Sequence, residues 1–247
     1  MLELWTYGFR GIGAIAMDPG SGQWVVSRRP LTYDMNNVVA TAGCPAEMFE
    51  RDGPFDNAAD FFDARAADFC AHFWHQRNVA GGDPVTARRE NLARRCFKDL
   101  IPGNMDNGID DGNQISSRPF CDGLVPDNIV IDPETLRITG MVTLGFSNAM
   151  PKQFGEDVPS WLMLEHPLSW LDNSKTDEFL ALFGRRKEQF IRAVGRVEAT
   201  MPMQPDHPRL SGRMRESWET GCFWFNLMSR NSFGVEKIYW TIWKGRC

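Results

Sequence analysis

No stretch of this 247-residue chain is apolar for long enough to cross a bilayer, a crossing that takes about 20 consecutive apolar residues. The opening residues, MLELWTYGFRGIGAIAMDPG, lack the basic leader, apolar run and cleavage site of a secretion signal. The expectation is a cytoplasmic chain with no membrane partner. A basic excess is also missing. The 27 Lys and Arg are outnumbered by 32 Asp and Glu, for a net charge of −5, which offers no electrostatic footprint for nucleic acid. The six cysteines are Cys44, Cys70, Cys96, Cys121, Cys222 and Cys247, and no two form a C-x-x-C pair. Without a secretion signal, such scattered thiols are expected to be reduced and partly buried. His72, His75, His166 and His207 complete no zinc pattern. The phosphate-loop pattern G-x-x-x-x-G-K-[ST] is absent, and GFRGIG is too short to replace it.

What is present is aromatic. Seventeen Phe and nine Trp call for a large aromatic core or a roomy aromatic pocket. Residues 12–26 read as a hairpin, with DPGSG as its turn, and SRRPLTYDMNN follows as a loop or connecting segment. Residues 55–80 read as a long helix capped by Asp56 or Asn57. A second helix runs from Pro84 to about Ile101, with Leu92, Cys96 and Leu100 on one face and Pro102 and Gly103 as its end. The acid-rich stretch from Gly103 to Arg118 lacks the closing Glu of a calcium loop and reads as solvated. Residues 128–131 and 136–144 form two strands around the turn Asp132–Thr135. WLMLEHP reads as a short helix stopped by Pro167. Residues 175–200 and 209–229 read as two long helices, and the tail VEKIYWTIW is expected to pack on the core.

The stretch from Pro119 to Pro151, PFCDGLVPDNIVIDPETLRITGMVTLGFSNAMP, carries a family likeness. PDNIVIDPETLRITGMV followed by FSNAMP resembles the catalytic hairpin of the aminoglycoside phosphotransferase-like family, in its large fungal branch. The likeness extends through SRRPLTYDM, PSWLML, RLSGRMRESWETGCFWFN and the closing IYW. It implies a protein-kinase-like fold of class α+β, mostly helical. Residues 1–30 would be a hairpin remnant of the small lobe with its hinge, and residues 31–247 the helical large lobe. It also implies transfer of the ATP γ-phosphate to a small-molecule hydroxyl. An Asp would take or orient the hydroxyl proton, and an Asn and a further Asp would hold magnesium.

Position by position, two of the three central residues that the resemblance calls for are missing. Asn128 matches the magnesium-binding Asn. Gly123 stands where the catalytic Asp belongs, and Cys121 replaces the usual His. Thr143 occupies the metal-binding Asp position, and Gly145 a second acidic one. A hydroxyl is a far weaker magnesium ligand than a carboxylate, and glycine offers no side chain. The expected function is a degenerate phosphotransferase-like protein without ATP-dependent kinase activity and without cofactors. It would bind a small molecule, or serve a non-kinase step such as a cyclisation in fungal secondary metabolism. In the alternative, a small-molecule kinase uses ATP and magnesium with displaced residues. Asp122 would then be the base and Asn128 a metal ligand, with acids from Asp106 to Asp111 helping. A third reading is a truncated gene product. The plainer roles are a loop cap or solvent-facing acid for Asp122, a loop-holding amide for Asn128, and a packed thiol for Cys121. Arg28 and Arg29 fit either an anionic ligand or nearby acids. Trp218, Phe223, Trp224 and Phe225 fit the core before a ligand cavity, and Arg213 and Arg215 fit an exposed helix face. Surface left bare by the missing lobe would invite self-association.

Overall fold

The computed structural model describes residues 1–49, 51–76, 83–104, 117–171, 175–201 and 209–244. The acids expected to help at Asp106 to Asp111, together with His207 and Cys247, lie outside them. The chain is α+β and mostly helical, with a small antiparallel sheet. No helix among the described residues is long and apolar enough to cross a membrane.

Two hairpins rest on the same local device. Between β1 (Gly13–Met17) and β2 (Trp24–Arg28), Asp18 accepts hydrogen bonds from the Ser21 amide at 2.8 Å and its hydroxyl at 2.6 Å. Asp132 Oδ1 similarly accepts from the amides of Glu134 and Thr135, both at 2.9 Å. This turn joins β4 (Ile129–Ile131) to β5 (Ile138–Met141). An Asp carboxylate that ties down the amides two and three residues on is what makes these turns readable from sequence. The return strand is shorter than expected. Leu136 takes a left-handed φ of 55°, and the register shifts between Val130 and Ile131.

β1 also pairs with β6 (Ser147–Pro151), which pairs in turn with β3 (Ser117–Cys121). The N-terminal hairpin therefore shares one sheet, ordered β2-β1-β6-β3, with the strands that flank the central segment. FSNAMP supplies the inner strand, buried from Asn148 to Pro151.

Helix α1 (Leu2–Thr6) precedes this sheet. Helix α2 (Tyr33–Ala42) replaces the loop expected there. Thr32 caps it by accepting from the Met35 amide, and Gly43 ends it at φ 67°. Helix α3 (Ala58–His75) starts at Asn57, whose side chain accepts from the Asp60 amide at 2.9 Å. Helix α4 (Pro84–Asn104) continues through Pro102 rather than ending there. Its buried face carries Ala93, Arg94, Phe97 and Ile101, and Leu92 is exposed. Phe97 fixes that rotation, since its ring packs on Phe69 and stacks flat on Phe225 with centroids 5.1 Å apart.

After the short α5 (Lys152–Gly155), WLMLEHP forms turns instead of a helix, with Leu164 at φ 62°. Pro167 begins α6 (Pro167–Leu171) rather than stopping a helix. Proline fits a first helical turn because that turn needs no N–H donor. Helix α7 (Thr176–Glu198) matches expectation. The long helix expected over 209–229 is two, α8 (Leu210–Thr220) and α9 (Cys222–Ser229), broken at Gly221 with φ 88°. The tail forms α10 (Val235–Ile238) and a wider turn to Trp243, with Val235 and Ile238 fully buried. The core lies where α3, α4 and α9 meet, and Phe62, Phe97, Phe223 and Phe225 have no accessible surface.

Candidate functional site

Strand β3 delivers the loop on which the chemistry would sit. Cys121 pairs with Ser147 at the sheet's end, and the chain turns into a short helical turn at Pro126–Asn128. Asn128 Nδ2 donates to the Gly123 carbonyl at 2.8 Å, and the Asn128 amide donates to the Val125 carbonyl at 3.0 Å. Asn128 therefore closes the loop over five residues. The Cys121 thiol is half-buried and donates to the Gly145 carbonyl at 3.5 Å. Thr143 Oγ1 accepts from the Gly145 amide at 3.0 Å.

Gly123 and Gly145 meet backbone to backbone. A Cβ built on Gly123 would lie 2.9 Å from the Gly145 carbonyl oxygen, a distance at which the backbone has to move. The space that an Asp side chain at 123 would use is filled by the loop around 145. The polar groups left at the catalytic-type positions hydrogen-bond to one another. No carboxylate stands at 123, 143 or 145, and the Thr143 hydroxyl accepts from the Gly145 amide, so these three positions by themselves do not fit magnesium.

Asp122 points the other way. Its Oδ2 accepts from the Tyr33 amide at 3.3 Å, capping the first turn of α2, where a carboxylate also suits the helix dipole. Burial raises its pKa, and the nearby Arg230 opposes that rise. Phe146, just past Gly145, has a left-handed φ of 58°, uncommon for a bulky residue. Three contacts hold it there, one of them the Asp122 amide donating to its carbonyl at 3.5 Å. Its carbonyl accepts from Asn148 Nδ2 at 3.3 Å, and its ring meets Tyr33 edge-on at 5.6 Å.

Two polar clusters near this loop were invisible to sequence reasoning. In the first, Arg230 stacks over Phe120 and Phe154 at 4.8 and 5.1 Å and lies 3.7 Å from Asp157 Oδ2. Asp157 is buried, accepts from Ser217 Oγ at 2.6 Å and Asn226 Nδ2 at 3.0 Å, and has no hydrogen-bond partner on Oδ2. Burial pushes its pKa up to about 7 against the pull of Arg230. Burial and the neighbouring Asp157 also push up the Cys222 thiol. In the second cluster, buried Arg65 joins Asp34 of α2, Asp68 at 2.9 Å and the Ser229 carbonyl at 3.2 Å. Asp34 also accepts from the Ser232 amide at 2.8 Å. The Ser232 hydroxyl lies 2.5 Å from His72 Nδ1, and Gln76 Oε1 lies 2.6 Å from His72 Nε2. His72 is thus committed to the interior while His75 is exposed, so the two do not form a ligand pair.

The other sequence candidates are structural. Arg28 is exposed, and Arg29 lies 5.7 Å over Phe49. Phe223, Trp224 and Phe225 are core, with Trp218 packed at its edge. Arg213 contacts Glu156 and Glu216, and Arg215 contacts Glu188. A concavity bordering the loop is lined by Trp5, Arg118, Phe120, Cys121, Leu124 and Phe154 and encloses about 50 Å³. That is room for a water or two, whereas ligand pockets run to roughly 300–1,000 Å³. Comparison with known protein families, with curated proteins and with solved structures gives no match for this chain.

Proposed function

We propose that this chain is a degenerate phosphotransferase-like protein that does not transfer phosphate from ATP and instead engages a small molecule. The observation that carries the reading is the contact between Gly123 and Gly145, 2.9 Å from a built Cβ to the opposing carbonyl. A lost catalytic acid leaves a gap that one substitution would refill. Here the gap is closed by backbone. Phosphoryl transfer relies on positioning and charge stabilisation by carboxylate-held magnesium; positions 123, 143 and 145 supply no carboxylate, and position 123 has no room for one.

The polar groups nearest the loop that a small molecule could meet are Arg230, whose side chain is 16% exposed beside partly buried Phe120, and Asp122 within electrostatic range. A non-redox step such as a cyclisation, which depends on shape and polarisation, needs neither magnesium nor nucleotide. Titration calorimetry with ATP and magnesium tests the reading. The expected result is no heat of binding at about 1 mM nucleotide, an affinity weaker than about −4 kcal/mol. Tight, magnesium-dependent binding would overturn it. Asp122→Ala in a phosphate-transfer assay would then show whether the displaced acid is the base.

A further inference from the structure

Helices α3 and α4 run antiparallel, with Asp63 meeting Lys98 toward one end of their contact and Phe73 meeting Arg94 toward the other. A groove of about 380 Å³ opens between them, lined by Ala66, Ala67 and Cys70 from α3 and by Arg94, Arg95 and Lys98 from α4. That volume falls in the roughly 300–1,000 Å³ range of small-molecule sites. Spacing puts Ala66, Ala67 and Cys70 on one face of α3, and their short side chains leave the space open. The other wall is long and cationic. Arg94 is 4% exposed, and its Nε is a buried donor without a partner. Its terminal nitrogens reach the Glu90 and Ser232 carbonyls at 3.2 and 3.5 Å, and the Glu90 carboxylate at 3.5 Å. Arg95 and Lys98 are exposed. Lys98 lies 3.6 Å from Asp63, with both side chains more than half exposed. Such a pair holds weakly and yields to a ligand. Asp99 also lines the groove. No residue of the groove belongs to the candidate loop.

Cys70 brings reactivity to this groove. Its thiol is half-buried and sits near enough to Arg94 for its charge to favour that of the guanidinium. Partial exposure among cations is the setting in which a thiol reacts as its thiolate. The other cysteines are placed differently. Cys44 is buried, Cys121 donates to the Gly145 carbonyl, and burial pushes the Cys222 thiol up. We propose that the α3–α4 groove seats a small zwitterionic thiol peptide, which Cys70 binds as a mixed disulfide. The Cys70 thiolate attacks one sulfur of the peptide's disulfide. The new S–S bond forms as the old one breaks, and the departing peptide thiolate takes up the proton that Cys70 released. Cys70 is oxidised and the departing sulfur is reduced, so the disulfide itself is the oxidant. A glutathionyl group carries two carboxylates and one ammonium. These complement Arg95 and Lys98 on one side and Asp63 or Asp99 on the other.

Timed incubation with excess oxidised glutathione, read by peptide mass spectrometry, tests this. The adduct is expected at Cys70 about tenfold faster than at Cys96 or Cys121, the lower end of the rate gain that a charged cleft gives. Equal rates, or no adduct at Cys70, overturn the proposal. Arg95→Ala/Lys98→Ala, changed at two exposed positions, is expected to keep the wild-type circular dichroism. It should slow the reaction of Cys70 with oxidised glutathione about tenfold, and its reaction with cystamine, a cationic disulfide, not at all. A double variant that reacts with oxidised glutathione at the wild-type rate, or slows equally with both disulfides, overturns the proposal. If the double variant loses its fold, the wild type decides. Its labelling of Cys70 relative to Cys121 should be higher with oxidised glutathione than with cystamine, and an equal ratio overturns the proposal.

Discussion

Phe62, Phe97 and Phe225 lie at the junction of α3, α4 and α9, each ring in contact with another and none reachable by solvent. Ile131 and Ile138 are just as apolar and stand 52% and 68% exposed on the β4–β5 hairpin. The difference is one of neighbours. The helices bring apolar faces together from distant parts of the chain, whereas the hairpin has only its own two strands. Its turn and register are complete, so its shape is set locally, while its apolar side chains stay in water. The loop between Cys121 and Gly145 belongs to the second kind in its local self-sufficiency. The Asn128, Thr143 and Cys121 side chains bond the backbone of Gly123 and Gly145 within the loop itself.

The contrast breaks most visibly in the body. Phe225→Ala is expected to cost about 3–5 kcal/mol, because the cavity sits among rings that cannot all relax into it; urea denaturation measures it. Arg65→Ala is expected to cost a similar ~3–5 kcal/mol, since it strands Asp34 and Asp68 in the interior without their cation. A loss below about 1 kcal/mol would show that the network is worth little more than a surface pair.

At the loop the effect is intermediate. Gly123→Asp is expected to destabilise by about 1–3 kcal/mol, the usual cost of overfilling a packed site, and to leave magnesium–ATP binding absent by calorimetry. A stable variant that gained such binding would show the space to be open after all.

A finer test uses pH. The Asp157 carboxyl has its pKa raised by burial to about 7 from 3.8, so between those values the folded state holds a proton that the unfolded state has released. Stability then falls as pH rises through that window. His72, whose pKa burial lowers, contributes the opposite slope below its ordinary 6.5. The Asp157→Asn variant shares it, so it drops out of the comparison. The thermal midpoint of the wild type is expected to fall relative to Asp157→Asn between about pH 5 and pH 8. A flat difference would remove Asp157 as a titrating group.

The smallest effect is expected on the hairpin. Ile138→Glu should change monomer stability by no more than about 0.5 kcal/mol at low protein concentration, because the side chain is already in water. A larger loss would show that the side chain packs against a neighbour.

Much of the fold was legible. DPGSG and DPET announce their turns because one Asp organises the next three residues. Helices α3 and α7 show their periodicity because each buries a stripe of phenylalanines. Helix α2 was hidden because Pro30 and the polar YDMNN read as loop, while Thr32 and Gly43 cap it. The break between α8 and α9 rests on the single Gly221. The rotation of α4 follows Phe97 and not the more regular Leu92–Cys96–Leu100 row, because Phe69 and Phe225 are what it faces.

At the candidate site, sequence alone determined which residue types stand at the positions that the phosphotransferase resemblance singles out: Gly123, Thr143, Gly145 and Asn128. Only the tertiary structure decided what they do. It placed the Gly145 carbonyl where an Asp at 123 would reach, and set Asp122 on the start of α2. It also brought Asp157 within reach of Asn226 and Arg230, 69 residues apart in the first case. Spacing along a chain specifies chemistry within one turn or hairpin. Contact between segments depends on which apolar faces find each other, and no local pattern carries that information.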